Sequence, residues 1–363
     1  MVTKQTDPDL DTWKQEQERQ HRKSRNRKLG ALALVVAFAL AVGMFAWASR
    51  RGAEPVVVGN TPPTSIPRLA PDEQDVEIVD LQGNPQALVP GLPDEAFALS
   101  LSSNGTKIAF VASNGVPHAD IGHIATIGID GTGRRDLPTE AIEASVPAWS
   151  PNGKEIAFEG RVAGGASDIY VMNADGSGLR KLTDDPAYDQ QPQWSPDGAT
   201  IVYDNTGDQL NPDDPGDPAF SPTAEIWTVP AAGGAPTRIT RNGSPDNAPS
   251  YSRDGRIAWF CGGICVMDPD GTGKIVRYQV ADGFTPRWSP DGSMIAYATY
   301  DDRYRPSVTL GGRDRVAPLI IVSVLDLRAG QSHTVGGVGM ATDLNTPQWV
   351  NDGQLLIRRV GYP

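Results

Sequence analysis

Pro192-Gln193-Trp194-Ser195-Pro196-Asp197-Gly198-Ala199-Thr200-Ile201-Val202-Tyr203 reads as a strand, a tight turn and a second strand. Trp194 and the run Ile201 to Tyr203 are of the aromatic and β-branched types that suit a pleated surface. Asp197-Gly198 between them accepts the positive φ that a tight hairpin demands. The pattern stands again at 147–158 and 286–297, and in weaker form at 99–110, 249–259 and 347–357. The anchoring positions Leu101, Trp149, Trp194, Tyr251, Trp288 and Trp349 are 48, 45, 57, 37 and 61 residues apart. That is the spacing of a repeat protein with insertions of variable length.

A second hairpin signal follows most copies. Its clearest form is Asp168-Ile169-Tyr170-Val171-Met172-Asn173-Ala174-Asp175-Gly176, running on to Thr183, with echoes at 124–131, 225–229, 264–268 and 320–326. Two hairpins per repeat make a four-stranded blade. The copy at Trp349 has no second hairpin before the chain ends at Pro363, whereas 75–88 has the form of a second hairpin and precedes the first copy. Pairing the two ends in one sheet would close a ring and remove open edges. The expected fold is all-β, a six-bladed β-propeller over 75–363 with N- and C-terminal closure of the last blade.

The Trp-Ser-Pro-Asp-Gly-x-x-Ile-Ala-Tyr pattern of 288–297, with the Ile-Tyr-Val-Met-Asn-x-Asp-Gly of 169–176, resembles the propeller repeat of TolB, the periplasmic translocation protein, and of TolB-like envelope proteins. The resemblance spans roughly 75–360 and implies an extracytoplasmic propeller that engages a protein or an envelope polymer. TolB has an additional N-terminal α/β domain, whereas a short spacer and an expected anchor precede the propeller here, so its pairing with Pal is not carried over.

Residues 29–49 form a run of 21 without a charge, which as a helix spans about 30 Å, the thickness of a bilayer core. Seven Lys/Arg lie between Lys14 and Lys28, and only Arg50 and Arg51 directly follow the run. The positive-inside rule then leaves 1–28 as a cytoplasmic disordered tail, 29–49 as a single-pass anchor in the cell membrane, and the rest outside. The competing reading is a cleaved signal peptide, since Ala46-Trp47-Ala48 has the form of a cleavage site. Residues 50–74 carry Pro55, Pro62, Pro63, Pro67 and Pro71 and read as an extended linker. Beyond residue 51 there are 22 Lys/Arg against 39 Asp/Glu, a net −17 that would repel a nucleic acid backbone.

Signals for chemistry are sparse. The four histidines are His21, His118, His123 and His333, and no nucleophile elbow, P-loop, dinucleotide fingerprint or His-Glu-x-x-His occurs. The Ser-Pro-Asp-Gly aspartates read as turn formers. His118, Asp120 and His123 offer three metal ligands from one loop, although such a cluster is more often plain polar surface. The acidic stretch Asp204 to Glu225 offers oxygens suited to Ca²⁺, yet its prolines fit a solvated loop better; no other cofactor is implied. Cys261 and Cys265 would be cross-strand partners around a three-residue loop, allowing a disulfide, and would stay free thiols around a two-residue loop.

Function on a propeller sits in its loops and channel. The connections 111–123, 204–224 and 298–318 are long, and the last gathers Tyr300, Arg303, Tyr304, Arg305, Arg313 and Arg315 in a domain short of basic residues. Tyr and Arg are enriched at binding hot spots. The leading expectation is a membrane-tethered, non-catalytic binding or scaffold module. The alternative is a propeller hydrolase or lyase with Asp189, Asp246 and Asp282 at the channel mouth. A sensor signalling inward is disfavoured, because 1–28 is too short for an output domain.

Overall fold

The repeat turn works through its serine and its aspartate. Ser195 Oγ donates to Asp197 Oδ1 at 2.6 Å and accepts the Thr200 N–H at 2.9 Å, while Asp197 Oδ1 also accepts the Ala199 N–H at 2.9 Å. Gly198 supplies the left-handed residue, at φ 72°. Ser150 with Asn152 and Ser289 with Asp291 repeat the arrangement, and so does Ser102 with Asn104. Asn serves as well as Asp because the turn uses only the Oδ1 acceptor. Across each turn the anchoring residue faces an aliphatic one, Trp149 opposite Ile156, Trp194 opposite Ile201 and Trp288 opposite Ile295.

The computed structural model describes residues 56–57, 59–61, 74–93, 96–113, 122–139, 142–163, 165–206, 224–268, 276–280, 284–301, 307–310, 313–316, 319–340 and 346–360. Every regular element among them is a strand. β1 (Val56–Val57), β2 (Gly59–Thr61), β3 (Gln74–Asp80) and β4 (Pro85–Leu88) come first. An antiparallel meander follows, of β5 (Ala96–Leu101), β6 (Lys107–Ser113), β7 (Gly122–Gly128) and β8 (Arg135–Asp136). The next consists of β9 (Ile142–Trp149), β10 (Glu155–Val162), β11 (Ser167–Asn173) and β12 (Arg180–Lys181). Then come β13 (Asp189–Trp194), β14 (Thr200–Asn205), β15 (Glu225–Pro230) and β16 (Thr237–Arg238). They are followed by β17 (Asn247–Tyr251), β18 (Ile257–Phe260), β19 (Ile264–Met267) and β20 (Val276–Gln279).

After β21 (Phe284–Trp288) and β22 (Met294–Asp301) the chain makes a separate hairpin, β23 (Ser307–Leu310) and β24 (Arg313–Val316). It then returns as β25 (Leu319–Asp326) and β26 (Gln331–Met340), giving the sheet order β26-β25-β22-β21. β27 (Gln348–Asn351) and β28 (Gln354–Val360) pair onward with the N-terminal strands in the order β27-β28-β3-β4, Leu356 opposite Ile78.

The first strands of these sheets are neighbours in a closed cycle, β5 to β9, β13, β17, β21, β27 and back to β5. The core lies between adjacent sheets. Ala148, Ile169 and Val171 of one pack on Trp194, Ile201 and Tyr203 of the next. Val76 and Leu356 pack on Ile108 and Phe110, while Val79 and Leu355 pack on Val322 and Val324. The sheet built from both chain ends is therefore buried on both sides. Each such side chain contributes about 1.5–3 kcal/mol by leaving water.

Each first strand but the last carries a left-handed residue three positions before its anchor: Ala98, Val146, Gln191, Ala248 and Thr285, at φ 43° to 54°. The pairing register shifts at each of these places, so these are bulges. Carboxyl groups of the preceding sheet hold two of them. Asp204 Oδ1 accepts the Ala248 N–H at 3.1 Å, and Glu159 takes the corresponding bond from the Gln191 N–H.

Within the stretch read as an extended linker, 50–74, residues 56–57 and 59–61 are strand. β1 adds in parallel to the outer edge of β20, Val56 opposite Tyr278, and β2 does the same to β26, Gly59 opposite Gln331. Outer edges offer unpaired backbone groups, and the linker's prolines all fall outside this stretch, so its N–H donors are intact. Residues 29–49 lie outside the described residues, within which no helix is long and apolar enough to cross a membrane.

Candidate functional site

The bulged strands surround a central channel. Ala98, Leu99, Val146 and Pro147 form its apolar side, and Gln191, Gln193, Arg287, Thr346 and Gln348 its polar side. The free space at its centre is ≈ 10 Å³, about enough for one water molecule. Arg287 is 6% exposed, and its Nη1 donates to Pro286 O at 2.9 Å. Burial pushes its guanidinium down to about 10, with the charge of Asp204 acting in the opposite sense. Trp349 Nε1 donates to Arg287 O at 2.8 Å, which ties β27 to β21.

Asp189 and Asp246 were expected at an open rim, and both are wholly buried, at 0% exposure. This corrects the rim assignment. They occupy the same repeat position, five residues before the anchor, where a side chain is enclosed rather than offered to solvent. Asn205 Nδ2 donates to Asp189 at 2.7 Å, and Asn242 Nδ2 donates to Asp246 at 2.8 Å. Burial raises Asp189 to about 7 and Asp246 to about 6. Glu159 is also raised by burial to about 7, and Asp204 is raised well above the carboxylate range for the same reason. Asp282 lies outside the described residues.

On the outer side the repeat carries ion pairs between its third and fourth strands. Lys181 Nζ lies 2.8 Å from Asp168, and Arg238 Nη2 lies 2.7 Å from Glu225. His123 Nε2 lies 3.2 Å from Asp136 in the equivalent place with the polarity reversed. The matching registers are Ala125 with Asp136, Tyr170 with Lys181 and Trp227 with Arg238. His123 is thus engaged in the blade's own architecture, while His118 and Asp120 lie outside the described residues. Most of the acidic stretch suggested for Ca²⁺ (207–223) also falls outside them.

Cys261 and Cys265 are joined, Sγ to Sγ at 1.99 Å. The bridge is not the cross-strand pair that loop counting suggests. Phe260 faces Ile264 and Cys265 faces Trp259, so Cys261 sits within the three-residue turn.

Of the residues expected on the binding face, Arg303, Tyr304 and Arg305 lie outside the described residues. Tyr300 is in β22 opposite Ile320; Arg313 and Arg315 are in β24, opposite Leu310 and Val308. The described residues of this connection, 298–301, 307–310 and 313–316, are strand. Its signal was present as Val308-Thr309-Leu310-Gly311-Gly312, a β-rich run ending in a hairpin dipeptide. Sequence reading also passed over Arg287. Its signal was a column: the residues just before the six anchors are Ser100, Ala148, Gln193, Ser250, Arg287 and Gln348, and one alone is charged.

A family profile described as the TolB beta propeller domain matches residues 67–209. A protein provisionally assigned as TolB from Agrobacterium tumefaciens has the same fold, with a TM-score of 0.61 at 19% identity over 79% of this chain and 98% of that one. TolB from Acinetobacter baumannii gives a TM-score of 0.51 at 17% identity, over 81% of this chain and 65% of that one. Comparison with curated proteins finds no match. Residues 67–209 thus match the TolB beta propeller profile, and the chain shares its fold with these two structures.

Proposed function

We propose that this protein is a membrane-tethered, extracytoplasmic, six-bladed propeller that acts as a non-catalytic binding or scaffold module for a protein or envelope polymer. Residues 29–49 are the tether and 1–28 the cytoplasmic tail. The observation that carries the reading is the β23–β24 hairpin. A sheet strand pair is prolonged to Asp301 and Leu319, and between them Ser307–Leu310 pairs with Arg313–Val316, the strand that includes Arg313 and Arg315. A paired strand segment that includes two arginines, in a chain whose residues beyond 51 carry a net −17, suits capture of an acidic partner, by steering as well as by contact. The alternative, a hydrolase or lyase using channel carboxylates, calls for accessible acids, whereas Asp189 and Asp246 are buried.

The test is capture from an envelope extract by the detergent-solubilised full chain, with Arg303→Ala, Tyr304→Ala and Arg305→Ala variants compared after the captured species is purified. Loss of a hot-spot side chain should weaken binding about 30-fold with an unchanged melting temperature. Equal affinity in all three variants removes this segment from the site.

A further inference from the structure

Arg287 holds a full charge in the channel with little to balance it. A guanidinium has five N–H donors; here Nη1 bonds the neighbouring Pro286 carbonyl, and the buried Nε has no hydrogen-bond partner. Among the described residues no carboxylate lies within ion-pair distance of it. Asp204 is the acid that acts on it electrostatically. Its Oδ1 is occupied by the Ala248 N–H, and burial favours its protonated form. A water molecule in the channel would satisfy a donor but would leave the charge uncompensated, and a buried unpaired charge is costly.

The remaining polar wall is rich in donors, with the amides of Gln191, Gln193 and Gln348 and the hydroxyl of Thr346 around the same space. That space admits one water-sized body, which excludes a phosphate or a carboxylate carried on a chain. We propose that the channel binds a single monoatomic anion of chloride size, with Arg287 Nε as its principal donor. Gln191 belongs to β13, Arg287 to β21 and Gln348 to β27, so the ion would tie three sheets together across the axis.

The experiment uses the full chain in detergent with chloride as the probe. ³⁵Cl line broadening and the melting temperature are followed as chloride replaces gluconate at constant ionic strength. Wild-type protein should show saturable broadening and a rising, saturating melting temperature, and Arg287→Gln should lose affinity by at least about tenfold. Should Arg287→Gln fail to fold, Gln348→Ala and Thr346→Val, which keep the guanidinium, should each weaken the same saturable response. A wild-type melting temperature indifferent to chloride overturns the proposal. So does broadening that persists in folded Arg287→Gln, which would assign it to adventitious surface ions.

Discussion

At the scale of single residues, polar side chains in the repeat divide into those that build turns and those shut inside. Asp197 and Asp291 are exposed turn acceptors, and their hydrogen bonds hold their carboxyls below the usual range. Asp189, Asp246 and Glu159 are raised by burial to between about 6 and 7. For these the sign is fixed: with the folded pKa above the unfolded one, the folded state binds the extra proton between them. Stability then falls as pH rises from about 4 to about 7 and is flat beyond. Asp189→Asn should remove its share of that slope, worth up to about 4 kcal/mol. Chemical denaturation of both proteins at pH 4.5 and 7.5 checks it, and parallel pH profiles would count against a buried Asp189. The sequence offers this residue as a rim candidate because it lies shortly before a repeat aromatic, and only the packing of neighbouring sheets shows it enclosed.

At the scale of elements, the repeat hairpins were legible because each carries an Asp-Gly or Asn-Gly turn between a strand anchor and an aliphatic run. The bulges were not. Ala98, Val146 and Thr285 carry no local signal for a left-handed backbone, and they adopt it where the pairing register shifts. The parallel addition of 56–61 was equally silent, since five residues without periodicity acquire strand geometry only from the edges they meet. The β23–β24 hairpin pairs only with itself among the described strands. Replacing 307–316 by a short Gly-Ser link should therefore change unfolding free energy by less than about 1 kcal/mol while abolishing partner capture. A large drop in stability, read by denaturant titration, would show instead that the hairpin belongs to the core.

At the scale of the whole molecule, the ends of the propeller segment meet in one sheet, with β3 and β4 completing what β27 and β28 begin. Val76 and Val89 enter the core shared with β5–β8, and Val79 enters the core shared with β21–β26. Arg358 of β28 also donates to Ala96 O of the neighbouring first strand. Removing residues 74–90 would strip three buried valines and a full ladder of backbone bonds, a loss on the order of the entire 5–15 kcal/mol that holds a domain together. The decisive measurement is calorimetric unfolding of the full chain beside the same chain lacking 74–90. A closed propeller predicts that the deletion abolishes the single cooperative transition or lowers its midpoint by more than about 10 °C. An unchanged midpoint and enthalpy would contradict closure of the ring by its two ends.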